Sequence, residues 1–280
     1  MNKSLRRYAP VFIGPTLIAF VAVFLVPFVM GIYLSFTDFT TVVDAKFVGI
    51  ANYIKAFQNQ DFINALLFTV KFTVVSVITV NVIAFALALL LTRGLRGTNL
   101  FRTTFFMPNL IGGIVLGYIW QLIINGVLMK SGVTILFKPE YGFWGLVLTM
   151  NWQLIGYMMV IYIGGIQNIS SDVLEAARID GANSVQTLFK ITIPLVMSSV
   201  TICLFLTLSN SFKLFDQNLA LTAGGPSKQT TMLALDIYNT FYGTIGYKGV
   251  GQAKAVIFFI IVAVLGYLQL ALTRNKEVEN

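Results

Sequence analysis

The stretch EAARIDGANSVQTLFKITIP, residues 175–194, lies between two long apolar runs and gathers several charged residues in a chain that has few. Over the whole chain 57% of the residues are hydrophobic and only 11% are charged. The apolar residues form blocks of about 20, the length that an α-helix needs to cross the hydrocarbon core of a bilayer. The sequence therefore predicts an all-α integral membrane protein in which residues 175–194 belong to a loop between two spans.

Six membrane spans are predicted, and together they form a single transmembrane domain over residues 1–280. The first span follows basic residues, as a signal peptide would, but its apolar run is too long and no small-residue cleavage site follows it. It is therefore expected to remain in the protein as a span. The predicted spans are 11–36, 65–91, 104–124, 143–167, 192–212 and 254–273.

The distribution of basic residues predicts the orientation of these spans. If the N-terminus is cytoplasmic, all seven arginines are inside, and lysines are the only basic residues of the outside loops. The positive-inside rule then places both termini and the loop 168–191 in the cytoplasm. Lys71 lies within the second span, near its outer end, and its side chain can extend to the interface. The inside residues are Lys3, Arg6, Arg7, Arg93, Arg96, Arg102, Arg178, Lys190, Arg274 and Lys276, and the outside lysines are Lys46, Lys55, Lys130, Lys138, Lys213, Lys228, Lys248 and Lys254.

Several classes of function are excluded by what the sequence lacks. There is no histidine, which excludes a histidine-based catalytic triad or zinc site, and the single cysteine, Cys203, cannot form an intramolecular disulfide. No phosphate-binding G-x-x-x-x-G-K-[ST] loop occurs, so any ATP would be hydrolysed by another chain. The net charge is +8, but the charges lie in gaps between apolar blocks, and binding to nucleic acid is not predicted.

The loop 168–191 contains the signals of a short capped helix. Asp172 followed by Glu175 has the spacing of a capping box, with Asp172 as the predicted N-cap. Gly181 is suited to the left-handed position that ends a helix. A second helix with the sequence SVQTLFKI is expected to follow along the membrane surface, with Pro194 opening the next span. Two interpretations remain open: a surface helix whose Glu175 and Arg178 pair with each other, or a small-sided helix that inserts into a groove on a partner.

The same segment resembles the EAA loop of the membrane subunits of binding-protein-dependent ABC importers, which reads E-A-A, three residues, G, nine residues, I-x-L-P. Ile193 stands in place of the usual leucine. The D-G-A at 180–182 and the stretch LFDQNLALTAGGPSKQTT at 214–231 are similar to the sugar-importing branch. The matching residues are Glu175, Ala176, Ala177, Gly181, Ile191 and Pro194.

This resemblance implies a transport subunit that is not itself an enzyme. The helix would dock in a cleft of a cytoplasmic ATPase subunit, and two such subunits would bind ATP and Mg, so this chain would hold no cofactor. The implied partners are a second, related permease in a heterodimer, an extracellular sugar-binding protein and the lipid of a bacterial or archaeal cytoplasmic membrane. The ATPase-coupling residues implied by the resemblance are Glu175, Ala176, Ala177, Asp180 and Gly181.

Polar residues within the spans indicate where a solute could pass. Ser199, Cys203, Thr207 and Asn210 recur on one face of the fifth span. Amides, hydroxyls and aromatic rings suit an uncharged polyhydroxy solute, whose hydroxyls both donate and accept hydrogen bonds. No acidic residue lies in any predicted span, which argues against proton- or cation-coupled transport. The predicted pathway residues are Asn151, Gln153, Tyr157, Thr207 and Asn210.

The alternative for each of these polar groups is that it holds helices together. Asn81 in the second span has the same ambiguity, whereas the glycines of the Gly113, Gly117 and Gln121 face are expected to serve close helix packing. The favoured function is one membrane half of an ATP-driven sugar importer, its solute an oligosaccharide. The other two possibilities are a non-transporting scaffold that anchors a cytoplasmic partner and a self-contained secondary carrier. A carrier usually has buried ionisable groups, and a scaffold needs no polar faces in its spans.

Overall fold

The computed structural model describes the backbone of residues 3–274 and the side chains of residues 11–273. Lys276, and the side chains of Lys3, Arg6, Arg7 and Arg274, on which the predicted orientation partly depends, lie outside the described residues. The described chain is helical apart from two short strands, so the prediction of an all-α membrane protein is confirmed. It forms two compact units: residues up to 62 with 237–259, and residues 63–236 with those from 260 onward.

The helices are numbered in chain order. They are α1 (Lys3–Phe20), α2 (Val26–Ser35), α3 (Ala51–Gln58), α4 (Gln60–Leu91), α5 (Thr98–Phe106), α6 (Gly113–Leu128), α7 (Pro139–Gln167), α8 (Ser171–Ile179), α9 (Ser184–Thr187), α10 (Ile193–Leu195), α11 (Met197–Phe212), α12 (Asp216–Leu221), α13 (Leu233–Gly243) and α14 (Lys248–Arg274). The strands β1 (Thr37–Asp38) and β2 (Lys46–Phe47) pair antiparallel.

Five continuous helical segments of the described chain are long and apolar enough to cross a membrane. A sixth candidate is a pair of helices, Ser184–Leu195 and Met197–Phe212, that meet at a bend of 72°. The five continuous segments are Val11–Ser35, Gln60–Leu91, Gly113–Ser131, Pro139–Gln167 and Lys248–Thr273.

The observed helices differ from the predicted spans mainly at their ends. The predicted third span, 104–124, contains a break: α5 ends before a short 3-10 turn, Met107–Leu110, and α6 begins only at Gly113. Pro108 lies in this turn, where it provides no backbone N–H to continue the helix. The fifth span, predicted over 192–212, bends at Val196, which leaves the helical conformation.

In the first unit, α1, a π-helical turn (Val21–Leu25) and α2 form one long apolar segment. The ring of Phe28 lies edge-on to Phe259 of α14, with 5.0 Å between centroids. Lys254, predicted to lie in an outside loop, is instead fully buried within α14. Its Nζ donates to Oγ1 of Thr240 at 2.8 Å and lies 5.1 Å from the ring centroid of Phe62. Burial is possible because the ammonium group has a hydrogen-bond acceptor and an aromatic face.

In the second unit, helix α7 contributes more residues to the core than any other helix. Tyr162, Met150 and Leu146 of α7 are buried, as are Phe72 of α4 and Cys203 of α11. Cys203 is therefore a core residue.

A buried hydrogen-bond chain fixes α4, α7 and α11 to one another. The hydroxyl of Tyr162 donates to Oδ1 of Asn81 at 2.8 Å, and Nδ2 of Asn81 donates to Oγ1 of Thr207 at 3.2 Å. Bonds of this kind stabilise contacts between helices in a membrane, where unsatisfied polar groups are costly.

Residues 213–232, which we call the buried loop, place about half of their side chains in the interior of the second unit. Helix α12 of this loop packs on the glycine face of α6, where a Cβ atom at Gly117 would lie 2.6 Å from Cβ of Ala220. Nε2 of Gln121 donates to the carbonyl oxygen of Leu221 at 2.9 Å. The prediction that the Gly113, Gly117 and Gln121 face serves close packing is confirmed, although its partner is a helix within a predicted outside loop.

Asn218 organises the buried loop. Its Nδ2 donates to the carbonyl of Thr230 at 2.8 Å and to Oγ1 of Thr222 at 3.0 Å, and its Oδ1 accepts from the backbone N–H of Met232 at 2.9 Å. The loop contains a turn at 224–226, with Gly224 at φ +83°. Helix α13 follows it. The loop is therefore held by its own polar side chains.

Candidate functional site

A cavity of about 320 Å³ opens in the second unit, and we call it the polar cavity. Four parts of the chain line it: the junction of α5 and α6, the middle of α7, the end of α11, and α12 with the residues before it. Its lining residues are Asn109, Gly113, Met150, Gln153, Leu154, Asn210, Lys213, Leu214, Phe215, Asp216 and Gln217.

Two glutamines join the walls of the polar cavity. Nε2 of Gln217 donates to Oε1 of Gln153 at 2.6 Å, which connects α12 with α7. Nε2 of Gln153 donates in turn to the carbonyl of Ile111 at 3.2 Å, which connects α7 with the start of α6. Each amide keeps further donor or acceptor capacity, so the pair can hydrogen-bond a hydroxyl that both donates and accepts.

Charged side chains also line the polar cavity, although the sequence predicted none near the solute. Lys213 and Asp216 are both exposed there, one on each side of Leu214 and Phe215. They reach this position because α12 folds back onto α6, where a Cβ at Gly113 would lie 2.7 Å from Cβ of Asp216. One cation and one carboxylate leave the lining with no net formal charge, which is compatible with a neutral solute.

The five predicted pathway residues fall in different environments. Gln153 and Asn210 line the polar cavity. Thr207 is fully buried in the hydrogen-bond chain with Asn81. Asn151 is also buried, and its Nδ2 donates to Oγ1 of Thr79 on α4 at 3.0 Å.

The fifth residue, Tyr157, is half-buried, with its ring 6.3 Å from that of Phe106 and outside the cavity lining. Sequence reasoning missed four polar lining residues: Asn109, Lys213, Asp216 and Gln217. Three of these residues could have been found from the sequence, because they lie in or next to the stretch that resembles sugar importers. Lys213 immediately precedes LFDQNLALTAGGPSKQTT, and Asp216 and Gln217 lie within it.

The loop 168–191, which we call the coupling loop, contains the short helix α8. The prediction of Asp172 as its N-cap is wrong, because Oγ of Ser170 accepts the backbone N–H of Asp172 at 3.3 Å. Asp172 lies in the first turn instead, where its carboxylate is favourably placed near the positive end of the helix dipole.

The C-terminal end of α8 has the predicted form. Gly181 has φ +77°, and the N–H of Ala182 donates to the carbonyl of Ala177 at 3.0 Å. This left-handed glycine with its 6→1 hydrogen bond is the Schellman arrangement.

A capping box follows α8 at a position that the sequence analysis did not identify. The side chain of Asn183 accepts the N–H of Gln186, and the side chain of Gln186 accepts the N–H of Asn183, both at 2.9 Å. This reciprocal pair begins α9, so the predicted second helix is present.

Most side chains of the coupling loop are exposed. Ile179 is 86% exposed, and Val185 and Phe189 are also exposed. In the part of the chain that the structure describes, Glu175 and Arg178 form no salt bridge with each other. Of the predicted coupling residues, Ala177 is buried and the other four, Glu175, Ala176, Asp180 and Gly181, are exposed. Exposed apolar side chains beside charged ones are typical of a surface that contacts another protein.

Comparisons with known proteins agree with this arrangement. A family model described as "Binding-protein-dependent transport system inner membrane component" matches residues 93–277. The chain is 46% identical over 276 residues to the "Probable starch degradation products transport system permease protein AmyD" of Thermoanaerobacterium thermosulfurigenes, covering 96% of this chain and 94% of AmyD. It is 31% identical over 289 residues to the "Multiple sugar-binding transport system permease protein MsmF" of Streptococcus mutans, covering 99% of each chain.

A solved structure has the same fold. A chain of a bacterial ABC transporter that imports the acidic polysaccharide alginate superimposes with a TM-score of 0.81 at 19% identity, covering 98% of both chains. The family match covers the coupling loop, the polar cavity and the buried loop together. The chain is therefore a member of the family of binding-protein-dependent transport system inner membrane components, the permease subunits of ABC importers.

Proposed function

We propose that this permease forms half of the translocation pathway for an oligosaccharide, and that the polar cavity is part of that pathway. The observation that carries the proposal is the pair of joined amides, Gln153 and Gln217, exposed to a cavity of about 320 Å³. An array of amides with no net charge can hydrogen-bond successive sugar hydroxyls without requiring an ionised solute. The names of AmyD and MsmF, which refer to starch degradation products and to multiple sugars, support a sugar as the substrate class.

The proposal separates the five predicted pathway residues into three groups. Gln153 and Asn210 contact the sugar directly, together with Gln217. Asn151 and Thr207 act in helix contacts, since their side chains are bonded to α4. Tyr157 supports the cavity wall from behind, through its contact with Phe106.

The proposed partners follow from the family and from the coupling loop. Two ATPase subunits that bind ATP and Mg, a second and non-identical permease, and an extracellular sugar-binding protein complete the transporter. The exposed coupling residues Glu175, Ala176, Asp180 and Gly181 form the surface that docks in the ATPase, whereas the side chain of Ala177 is buried. This places the coupling loop and both termini in the cytoplasm of a bacterial or archaeal cell, in agreement with the arginine distribution.

The test compares two double variants in the complete transporter, reconstituted in vesicles. Uptake of labelled maltooligosaccharides is measured with the binding protein saturated, so that capture is not limiting. Gln153→Ala with Asn210→Ala is expected to lower uptake by about 30-fold, because each of the two lost hydrogen bonds contributes about 1 kcal/mol. The matched control, Asn151→Ala with Thr207→Ala, is expected to lower thermal stability while the preference among sugars stays unchanged.

Three results would contradict the proposal. Unchanged uptake in the cavity variant would place the pathway elsewhere. Uptake by the chain alone, without ATPase subunits, would indicate a self-contained carrier. Binding of an ATPase without uptake of any sugar would indicate a scaffold.

A further inference from the structure

A second cavity, of about 330 Å³, lies between α4 and the beginning of α7, and it shares no lining residue with the polar cavity. Its walls combine aromatic rings with one cation, one carboxylate and one amide. We call it the α4–α7 cavity. Its principal lining residues are Phe68, Lys71, Glu140, Phe143, Trp144 and Gln229.

The charged side chains of the α4–α7 cavity form no salt bridge with any residue that the structure describes. Nζ of Lys71 lies 4.7 Å from the ring centroid of Phe143. Among the residues that the structure describes, Lys71 and Glu140 line the same cavity without forming a salt bridge to each other. A lysine within an apolar span is costly and usually marks a functional contact. An ammonium and a carboxylate that face one cavity without pairing can each bind the opposite charge of a ligand.

The surroundings of the cavity show that such a ligand must be amphiphilic. Lys71 lies on an exposed face of α4 whose other members are apolar and recur at helical spacing: Leu67, Val74, Ile78 and Val82. On α7, Trp144 begins a second exposed apolar face that continues through Leu148 and Trp152. The polar wall of the α4–α7 cavity therefore continues into two apolar helix faces, as a lipid headgroup site continues into its acyl chains.

The position along the helices agrees with a headgroup. Helix α7 begins at Pro139, one residue before Glu140, so the cavity lies at the end of a membrane-spanning helix. Tryptophan is enriched at this level of a membrane, where its ring is apolar and its N–H is polar. Trp144 is 59% exposed and is placed for that role.

We propose that the α4–α7 cavity binds the headgroup of a zwitterionic phospholipid with a primary ammonium group, of the phosphatidylethanolamine type. The lipid phosphate contacts the Lys71 ammonium, and the lipid ammonium donates to the Glu140 carboxylate. The face of Phe143 is already occupied by Lys71, so Glu140 is the remaining anchor for the cation of the ligand. A carboxylate binds a primary ammonium through charge-assisted hydrogen bonds, which a quaternary ammonium cannot donate.

Quenching of tryptophan fluorescence by brominated lipids tests this proposal. The chain has three tryptophans, and Trp120→Phe with Trp152→Phe leaves Trp144 as the reporter. The full-length chain is reconstituted in phosphatidylcholine vesicles that contain small fractions of brominated phosphatidylethanolamine, phosphatidylglycerol or phosphatidylcholine. Brominated phosphatidylethanolamine is expected to associate about threefold or more strongly than brominated phosphatidylcholine, the range for partly exposed ion pairs.

Variants assign the preference to the two charges. Glu140→Gln should remove the preference for phosphatidylethanolamine over phosphatidylcholine. Lys71→Met should weaken the association of all three lipids, because each carries a phosphate, and Lys71→Arg should retain both the association and the preference. Lys71→Arg also shows whether a loss in Lys71→Met reflects charge rather than misfolding. Lys138→Met is the matched control, because Lys138 also lies near an aromatic ring, that of Phe137, but does not line the cavity.

Three outcomes would overturn the proposal. Equal association of the three brominated lipids would show that the cavity has no headgroup preference. Stronger association of phosphatidylglycerol would assign the cavity to anionic lipids. Displacement of the brominated lipid by soluble glycerophosphoethanolamine at an equal concentration would show that the apolar faces contribute nothing to binding.

Discussion

The coupling loop and the buried loop each follow a membrane helix, α7 and α11 respectively, and are similar in length, yet they fold in opposite ways. In the coupling loop, hydrogen bonds join near neighbours in sequence, as between Asn183 and Gln186. In the buried loop they reach across the second unit, as from Gln121 to Leu221. Ile179 of the coupling loop is 86% exposed, whereas Leu221 of the buried loop is fully buried.

The two loops use their residues differently. The coupling loop holds its own short helices and leaves apolar side chains exposed, on the surface that we propose docks in the ATPase. The buried loop is part of the core, and it places Asp216 and Gln217 in the polar cavity. Disturbing the first should affect binding to a partner, and disturbing the second should affect folding and the solute.

The largest expected effect is on folding, from Asn218→Ala in the buried loop. The substitution removes three hydrogen bonds and leaves the buried N–H of Met232 and the carbonyl of Thr230 without partners. The stability loss is expected to be about 3 kcal/mol, since each buried unsatisfied group costs about 1–3 kcal/mol. Thermal unfolding of the purified chain in detergent measures it. A shift no larger than that of an exposed asparagine variant would contradict the comparison.

The second effect is on coupling, from Gly181→Val combined with Glu175→Lys. Valine at φ +77° is strained by about 1–2 kcal/mol or more, and the lysine reverses a charge on the exposed face. ATPase binding and uptake are expected to fall by about tenfold or more, while the unfolding temperature changes little. Co-purification with the ATPase and vesicle uptake measure these losses.

Gly246→Val is the control for backbone strain. Gly246 also has φ +77° with open space around it, but it lies in the other unit, far from the coupling loop in sequence. Its substitution should leave ATPase binding unchanged. An equal loss in both variants would mean that strain alone, rather than the coupling surface, reduces transport.

A smaller effect is expected from Gln217→Ala, which removes one of the two joined amides of the polar cavity. Uptake should fall by about fivefold, the equivalent of about 1 kcal/mol, with normal ATPase binding. Comparison of initial uptake rates for short and long maltooligosaccharides would show the change in preference. Reduced ATPase binding in this variant would mean that the two loops are not separable.

The smallest effect is expected from Asn183→Ala, which removes the capping box of α9. Loss of an N-cap costs about 1 kcal/mol, and here the cost is confined to an exposed helix. Hydrogen exchange should become faster for residues 184–187, without a change in the unfolding temperature. A lower unfolding temperature would show that the coupling loop contributes to the core.

Local signals in the sequence predicted the features that depend on local chemistry. A glycine after an alanine-rich helix predicted the left-handed end at Gly181, and recurring glycines predicted the packing face of α6. The N-cap was misassigned because Ser170 and Asp172 are both good caps and lie two residues apart. Only the backbone conformation, with Ser170 preceding the first helical residue, decides between them.

The candidate site was harder to predict. It depends on the direction in which each side chain points around its helix and on which segments between helices are buried. Asn151 and Gln153 are neighbours in sequence, but two residues turn a helix by about 200°. One therefore faces α4 and the other faces the polar cavity. Gln217 was missed because its segment is polar enough to be assigned to an outside loop, and nothing in a hydropathy profile shows that α6 presents glycines to receive it.

Because the chain bends by 72° at Val196, the segment before the bend projects at an angle from the membrane helix α11 and can act as a lever arm. The arm Ser184–Leu195 is about 18 Å long at the helical rise of 1.5 Å per residue. A rotation of about 10° around the bend would then displace its far end by about 3 Å, roughly half of a helical pitch. The far end of this arm adjoins the capping box at Asn183. A shift of about 3 Å in a partner docked there would therefore change the angle between the arm and the membrane helix α11 by about 10°.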